Sequence, residues 1–138
     1  MGIFRSPLGR AGAVGVVAAI IVNLIIFGIG SLADLDWKAA YEDLNAGAVV
    51  IVSLVAGVIF TIVAIVLLRY MKIEQPTRIF VIVVSVMTLV SLVSPFGSDA
   101  ETSTKLVLAL MHIVVAAVMI GVLSRPMLAA ERRRAEAA

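Results

Sequence analysis

Four stretches of this chain contain no Asp, Glu, Lys or Arg: residues 11–33, 44–68, 79–98 and 106–124. No other feature limits the fold so tightly. The first stretch has 23 residues. Wound as an α-helix at about 1.5 Å per residue it covers about 34 Å, enough to cross a hydrocarbon layer of about 30 Å. Transmembrane barrel strands alternate apolar and polar residues over about ten positions, whereas these stretches are continuous and about twice as long. Inside lipid the backbone must satisfy its own hydrogen bonds, and a helix does so within one segment despite the many Val and Ile residues. The expected fold is all-α, a polytopic transmembrane bundle of four helices with short loops. It is a single domain over 1–138, with helices at about 11–33, 46–68, 77–94 and 99–124 and a basic tail at 125–138.

Composition agrees. Charged residues make up 14% of the chain, against about 25% in soluble domains. A net charge of +2 gives no nucleic-acid surface, so the expected partners are membrane lipid and a second copy or a larger membrane complex. There is no cysteine and one histidine, which removes disulfides and thiolate ligands and leaves too few donors for a zinc site. No metal or other cofactor is expected.

Charge placement predicts the orientation. With four crossings, Arg5, Arg10, Arg69, Lys72, Arg78 and the four arginines after residue 124 fall on one side. Lys38 and Lys105 fall on the other, nine against two. The positive-inside rule then puts both termini in the cytoplasm. Trp37 and Tyr41, four apart, would share a face of a short helix at headgroup level. Pro76 suits a first helical turn. Pro95 should end the third helix, and Ser98 with Glu101 has the spacing of a capping box, starting the fourth near Asp99. Pro126 should stop or kink it. Gly2 and Ser6 match a myristoylation pattern and residues 5–33 have the outline of a signal peptide. An acyl anchor adds little beside a spanning helix, and the apolar run exceeds the about 7–15 residues of a signal core, so neither processing event is expected.

Few polar residues interrupt the runs. Ala11, Gly15, Ala19 and Asn23 recur every four positions in the first, Ser53, Gly57 and Thr61 in the second, and Ala117 and Gly121 in the fourth. Small residues at this spacing let helices approach closely, so bundle seams are the simplest reading. The sharper one is a narrow polar lumen lined by Asn23, Ser53 and Thr61. Asn23 lies mid-run and must face another helix, because an unpaired amide in hydrocarbon costs several kcal/mol. Ser85, Thr88 and Ser91 form a weaker stripe, since hydroxyls can return their protons to the preceding turn. His112 is the only ionisable group inside an apolar run. Thr102, Lys105 and His112 share a helical face with Asp99 one turn above, so a polar line runs inward from the outer turn. It reads either as a proton or ligand path or as a neutral His bonded to a neighbouring hydroxyl or carbonyl.

The residues Ser94-Pro95, Asp99, Thr104-Lys105-Leu106 and Leu110-Met111-His112 resemble a family of small bacterial four-helix membrane proteins known only as a domain of unknown function. The resemblance implies four crossings of a bacterial plasma (inner) membrane. It singles out Ser94, Pro95, Asp99 and His112, and it implies no activity. The leading expectation is a non-enzymatic membrane subunit or helper protein. The alternative is a small solute or proton-coupled transporter, acting as a homo-oligomer with His112 and Asn23 in the path. A third is an enzyme or lipid-binding protein that takes an amphiphile from the outer leaflet.

Overall fold

The computed structural model describes residues 6–39, 42–71 and 73–137; Gly2, Arg5, Tyr41 and Lys72 fall outside them. The elements run α1 (Pro7–Leu32), β1 (Lys38–Ala39), β2 (Glu42–Asp43), α2 (Ala46–Arg69), α3 (Pro76–Ser91), α4 (Val93–Phe96) and α5 (Thr102–Glu136). Four helical spans, α1, α2, α3 with α4, and α5, are long and apolar enough to cross a membrane, with mean hydropathy between 2.5 and 3.1. The fold is all-helical apart from a two-residue antiparallel ladder that pairs Lys38 with Asp43 and Ala39 with Glu42. That ladder replaces the short helix expected around Trp37. The Trp37 ring instead lies against Phe27 with centroids 4.6 Å apart, and its Nε1 donates to Ser31 Oγ at 3.0 Å.

The starts of α1 and α2 and the end of α1 are closed by local chemistry. The Ser6 hydroxyl accepts from Gly9 N–H at 3.0 Å, with Pro7 at the first position of α1. Asn45 Oδ1 accepts from Ala48 N–H at 3.0 Å to start α2. Here the side-chain oxygens take up donors that have no partner in the first turn. At the other end of α1, Leu35 N–H reaches Gly30 O and Asp34 N–H reaches Ser31 O. This Schellman closure puts its αL residue at Asp34, where φ is 54°.

Packing is uneven along the bundle. Phe80, Val84, Met119, Leu123 and Met127 are fully or almost fully buried, and Ala64, Leu67 and Leu68 join them. These residues all belong to the half that carries Arg69, Arg78 and Arg125. Against α1, α2 and α5 pack very closely. A Cβ added at Gly57 would come within 2.6 Å of Val16 Cγ2, one at Gly15 within 2.8 Å of Met119 Sδ, and one at Gly12 within 2.6 Å of Thr61 Oγ1. Gly12, Gly15, Val16, Ala19 and Asn23 therefore form the seam of α1, with Ala11 only half-buried. Ala117 and Gly121 are exposed, and nothing lies within 4 Å of a Cβ on Gly121. The small-residue pair of the fourth helix thus lies on the outer face and is not a seam within the bundle. The outward faces are apolar, with Val14 63% and Ile29 62% exposed, as lipid contact requires.

The fourth long helix departs from its expected limits at both ends. The capping box is not formed. The Ser98 hydroxyl donates to Pro95 O at 2.8 Å, and α5 starts at Thr102 with Glu101 as its cap residue. Thr104 Oγ1 donates to Asp36 O at 2.7 Å, tying this start to the loop after α1. Pro95 does not end α3, which stops at Ser91; Pro95 lies buried in α4. Pro126 neither stops nor ends α5, which continues through it to Glu136. The continuation is held at two points. Glu131 Oε1 accepts from Thr77 N–H at 2.6 Å, capping α3, whose cap residue Gln75 makes no side-chain bond. Arg134 donates through Nη2 to Leu68 O in the last turn of α2. One side chain takes an orphan donor and the other an orphan acceptor of the same α2–α3 turn.

Candidate functional site

The half of the bundle opposite the arginines is not filled. A cavity of about 560 Å³ lies between the first half of α2 and the group formed by the end of α3, α4 and the first half of α5. Its geometry follows from the chain. Leu92 between α3 and α4 is itself in the αR region and the two run on as one span to Phe96, so Met87, Thr88, Ser91, Ser94 and Pro95 line one side of the cavity together. Ile51, Val52, Val55 and Ile59 form the rim on α2 and are themselves exposed on the flank of the bundle, so the cavity opens sideways. Phe60 and Val115 lie at the inner end, next to the packed core.

The wall is mostly apolar, and the most deeply buried of its polar groups are Asn23 and Ser53. Asn23 reaches it from α1 and is 3% exposed. Its Nδ2 donates to Ser53 Oγ across the α1–α2 seam at 2.9 Å. Its Oδ1 is buried and has no hydrogen-bond partner among the described residues. Thr88 Oγ1 donates to Val84 O at 2.7 Å and Ser91 Oγ to Thr88 O at 2.7 Å, while Ser85 is exposed. With Ser98 bonded to Pro95 O, three hydroxyls of the wall have given their proton to their own chain segment. They offer only lone pairs.

His112 lies in the same wall, half-buried. Its Nδ1 is 2.7 Å from Leu108 O. A carbonyl only accepts, so Nδ1 carries the hydrogen. The nitrogen left for another group is Nε2, an acceptor when the imidazole is neutral.

The sequence-derived groupings are partly brought together. Asn23, Ser53, Ser94, Pro95 and His112 all line the cavity. Thr61 does not; its Oγ1 donates to Gly57 O at 2.8 Å in its own helix, and its side chain packs on Gly12. A lumen shared by Asn23, Ser53 and Thr61 is therefore not formed. The line from Asp99 to His112 is also broken. Asp99 and Thr102 are exposed, Lys105 is half-buried, and none of the three belongs to the cavity wall. Leu108, Met111 and Val115 flank His112 there instead. Among the described residues, no three of His, Asp and Glu gather as a metal site would need. The sequence reading gave no tertiary contact to Thr104, Glu131 or Arg134. Their partners are distant backbone groups, which leave no local signal.

No curated protein and no solved structure matches the chain. One family model does, that of a family of unknown function, DUF6069, over residues 4–129.

Proposed function

From the chain's place in DUF6069, the family of unknown function to which it belongs, we propose that it is a non-enzymatic helper protein of the bacterial inner membrane. Both of its ends face the cytoplasm, and its working part is the lateral cavity, which holds a membrane-embedded ligand. The nine-to-two split of Lys and Arg supports the orientation. The observation that carries the binding role is Asn23, a residue of the cavity wall whose Oδ1 is a buried acceptor without a hydrogen-bond partner among the described residues. In a low-dielectric interior such an atom costs on the order of 1–3 kcal/mol, and a bound group that donates to it recovers part of that.

The test is site-directed photo-crosslinking in intact cells. A diazirine side chain at Met87, in the cavity wall, is compared with one at Ile25, on the outer face of α1. The expected result is a discrete adduct from position 87 and a bulk-lipid mixture from position 25. Identical adducts from both positions would remove the basis for a binding cavity.

A second reading, a solute or proton-coupled carrier working as a homo-oligomer, draws support from Asn23 and His112 lining one cavity. Against it stands the core around Phe80, Met119 and Leu123, which fills the other half. Transport requires that core to part. Proton flux in liposomes that is abolished by His112→Ala favours the carrier over the holder.

A further inference from the structure

The cavity wall also restricts what can occupy it. We propose that the ligand is a neutral amphiphile bearing a hydroxyl or amide N–H, seated with its polar head against Asn23 and its chain leaving between α2 and α3 into lipid. This rests on the reading above that the cavity holds a membrane-embedded ligand.

Three properties of the wall lead to this class. The first is polarity. Thr88, Ser91 and Ser98 have given their protons away, His112 has committed Nδ1–H to Leu108 O, and Asn23 Oδ1 is unpaired. Ser53 and Ser94 supply the remaining hydroxyls of the wall; the acceptor that lacks a partner among the described residues is Asn23 Oδ1, and the group that matches it is a donor. The second is charge. No Asp, Glu, Lys or Arg lines the cavity. A cationic donor such as an ammonium would enter a low-dielectric space with no counter-charge, which is costly. A neutral donor carries no such cost.

The third property is size and direction. If each heavy-atom group takes roughly the 30 Å³ of a liquid water, a cavity of about 560 Å³ holds roughly 18 of them. Two turns of a helix about 10 Å across occupy on the order of 850 Å³, so a partner helix does not seat within it. Asn23 and Ser53 are the most deeply buried polar groups of the wall, whereas Ile51, Val52, Val55 and Ile59 are exposed at its edge. A small head therefore enters first, and a chain leaves sideways among residues already suited to lipid.

The experiment uses the full chain in mild detergent, titrated by native mass spectrometry with two probes. One is a monoacylglycerol with a fourteen-carbon chain. The other is its dimethyl ether, which keeps the chain and the acceptors but has no donor. The monoacylglycerol should bind roughly five-fold more tightly, as one net hydrogen bond provides, and the preference should vanish in Asn23→Leu. Because that variant risks misfolding, a second readout uses the unsubstituted protein. Asn23 and Asn45 are the only asparagines, so ¹³C-labelled Asn gives two side-chain carbonyl bands in the infrared. One should shift to lower frequency with the monoacylglycerol and not with the ether.

Equal binding of both probes without a band shift, lost in the cavity-filling variant Ala56→Phe, would overturn the donor requirement and leave the holding role standing. If neither probe binds saturably, or if Ala56→Phe changes nothing, the holding role itself fails.

Discussion

Replacing Gly12 by Ala tests how closely α1 and α2 approach. The new methyl would fall 2.6 Å from Thr61 Oγ1 and 3.1 Å from Thr61 Cβ, with Cγ2 in contact as well. Rotating Thr61 does not clear the space. Its two γ atoms occupy two of three staggered positions, so any new rotamer keeps one of them where a γ atom already was. The present rotamer is also held by the bond from Oγ1 to Gly57 O. The helices must therefore separate by some tenths of an ångström. Overpacking of this kind costs about 1–3 kcal/mol, set against a gain of up to about 1 kcal/mol in helix propensity from Gly to Ala. Gly121→Ala is the control: its methyl meets nothing within 4 Å, so only the propensity gain acts. The two variants should differ by about 2 kcal/mol, read from reversible unfolding in mixed micelles. Thr61→Ala removes both γ atoms and should restore most of the loss in the Gly12→Ala background, as expected for residues in contact. Equal stability of Gly12→Ala and Gly121→Ala, or no restoration by Thr61→Ala, would refute the close α1–α2 contact.

Other outcomes follow from single features. Asp34→Gly relieves a non-glycine residue at φ 54° and should raise stability by about 0.5–1 kcal/mol in thermal unfolding; a loss would mean that the carboxylate holds the turn. Glu131→Ala should cost about 1–2 kcal/mol by removing the acceptor for Thr77 N–H, and hydrogen exchange at Thr77 should speed up. Glu131→Gln keeps an oxygen there and should cost less than half as much. Ser53→Ala removes the acceptor for Asn23 Nδ2 and should destabilise by about 1–3 kcal/mol, whereas Thr102→Ala, at an exposed position, should change stability by less than about 0.5 kcal/mol. A peptide tag after Arg134 should resist protease in intact spheroplasts and be cut after lysis; cleavage before lysis would reverse the proposed orientation.

The four membrane-length helices were legible because hydropathy and charge act over twenty residues at a time, and no local detail overrides them. Finer limits depended on which of several local partners won. Ser98 had the spacing for a capping box but was captured by Pro95 O, an acceptor three residues back that the spacing rule ignores. Pro126 read as a helix stop or kink; the helix does not stop there, since its missing N–H removes only one bond and the turns beyond it gain partners 54 and 66 residues away. The stripe through Asn23 and Ser53 gave a true contact. The Ala117–Gly121 stripe did not, because periodicity gives a face and says nothing of what covers it. His112 stood out as a lone ionisable group, but its place in a half-open cavity depends on which residues of α2, α3 and α4 face it, which a single helix's spacing does not give.

The brace formed by Glu131 and Arg134 has a consequence for assembly. The α2–α3 hairpin is synthesised before either residue. Until they are in place its bend has a free amide hydrogen at Thr77 and a free carbonyl at Leu68. The hairpin is therefore made first and fastened last, and a chain interrupted between Pro126 and Glu131 should keep its long helices yet leave that corner loose.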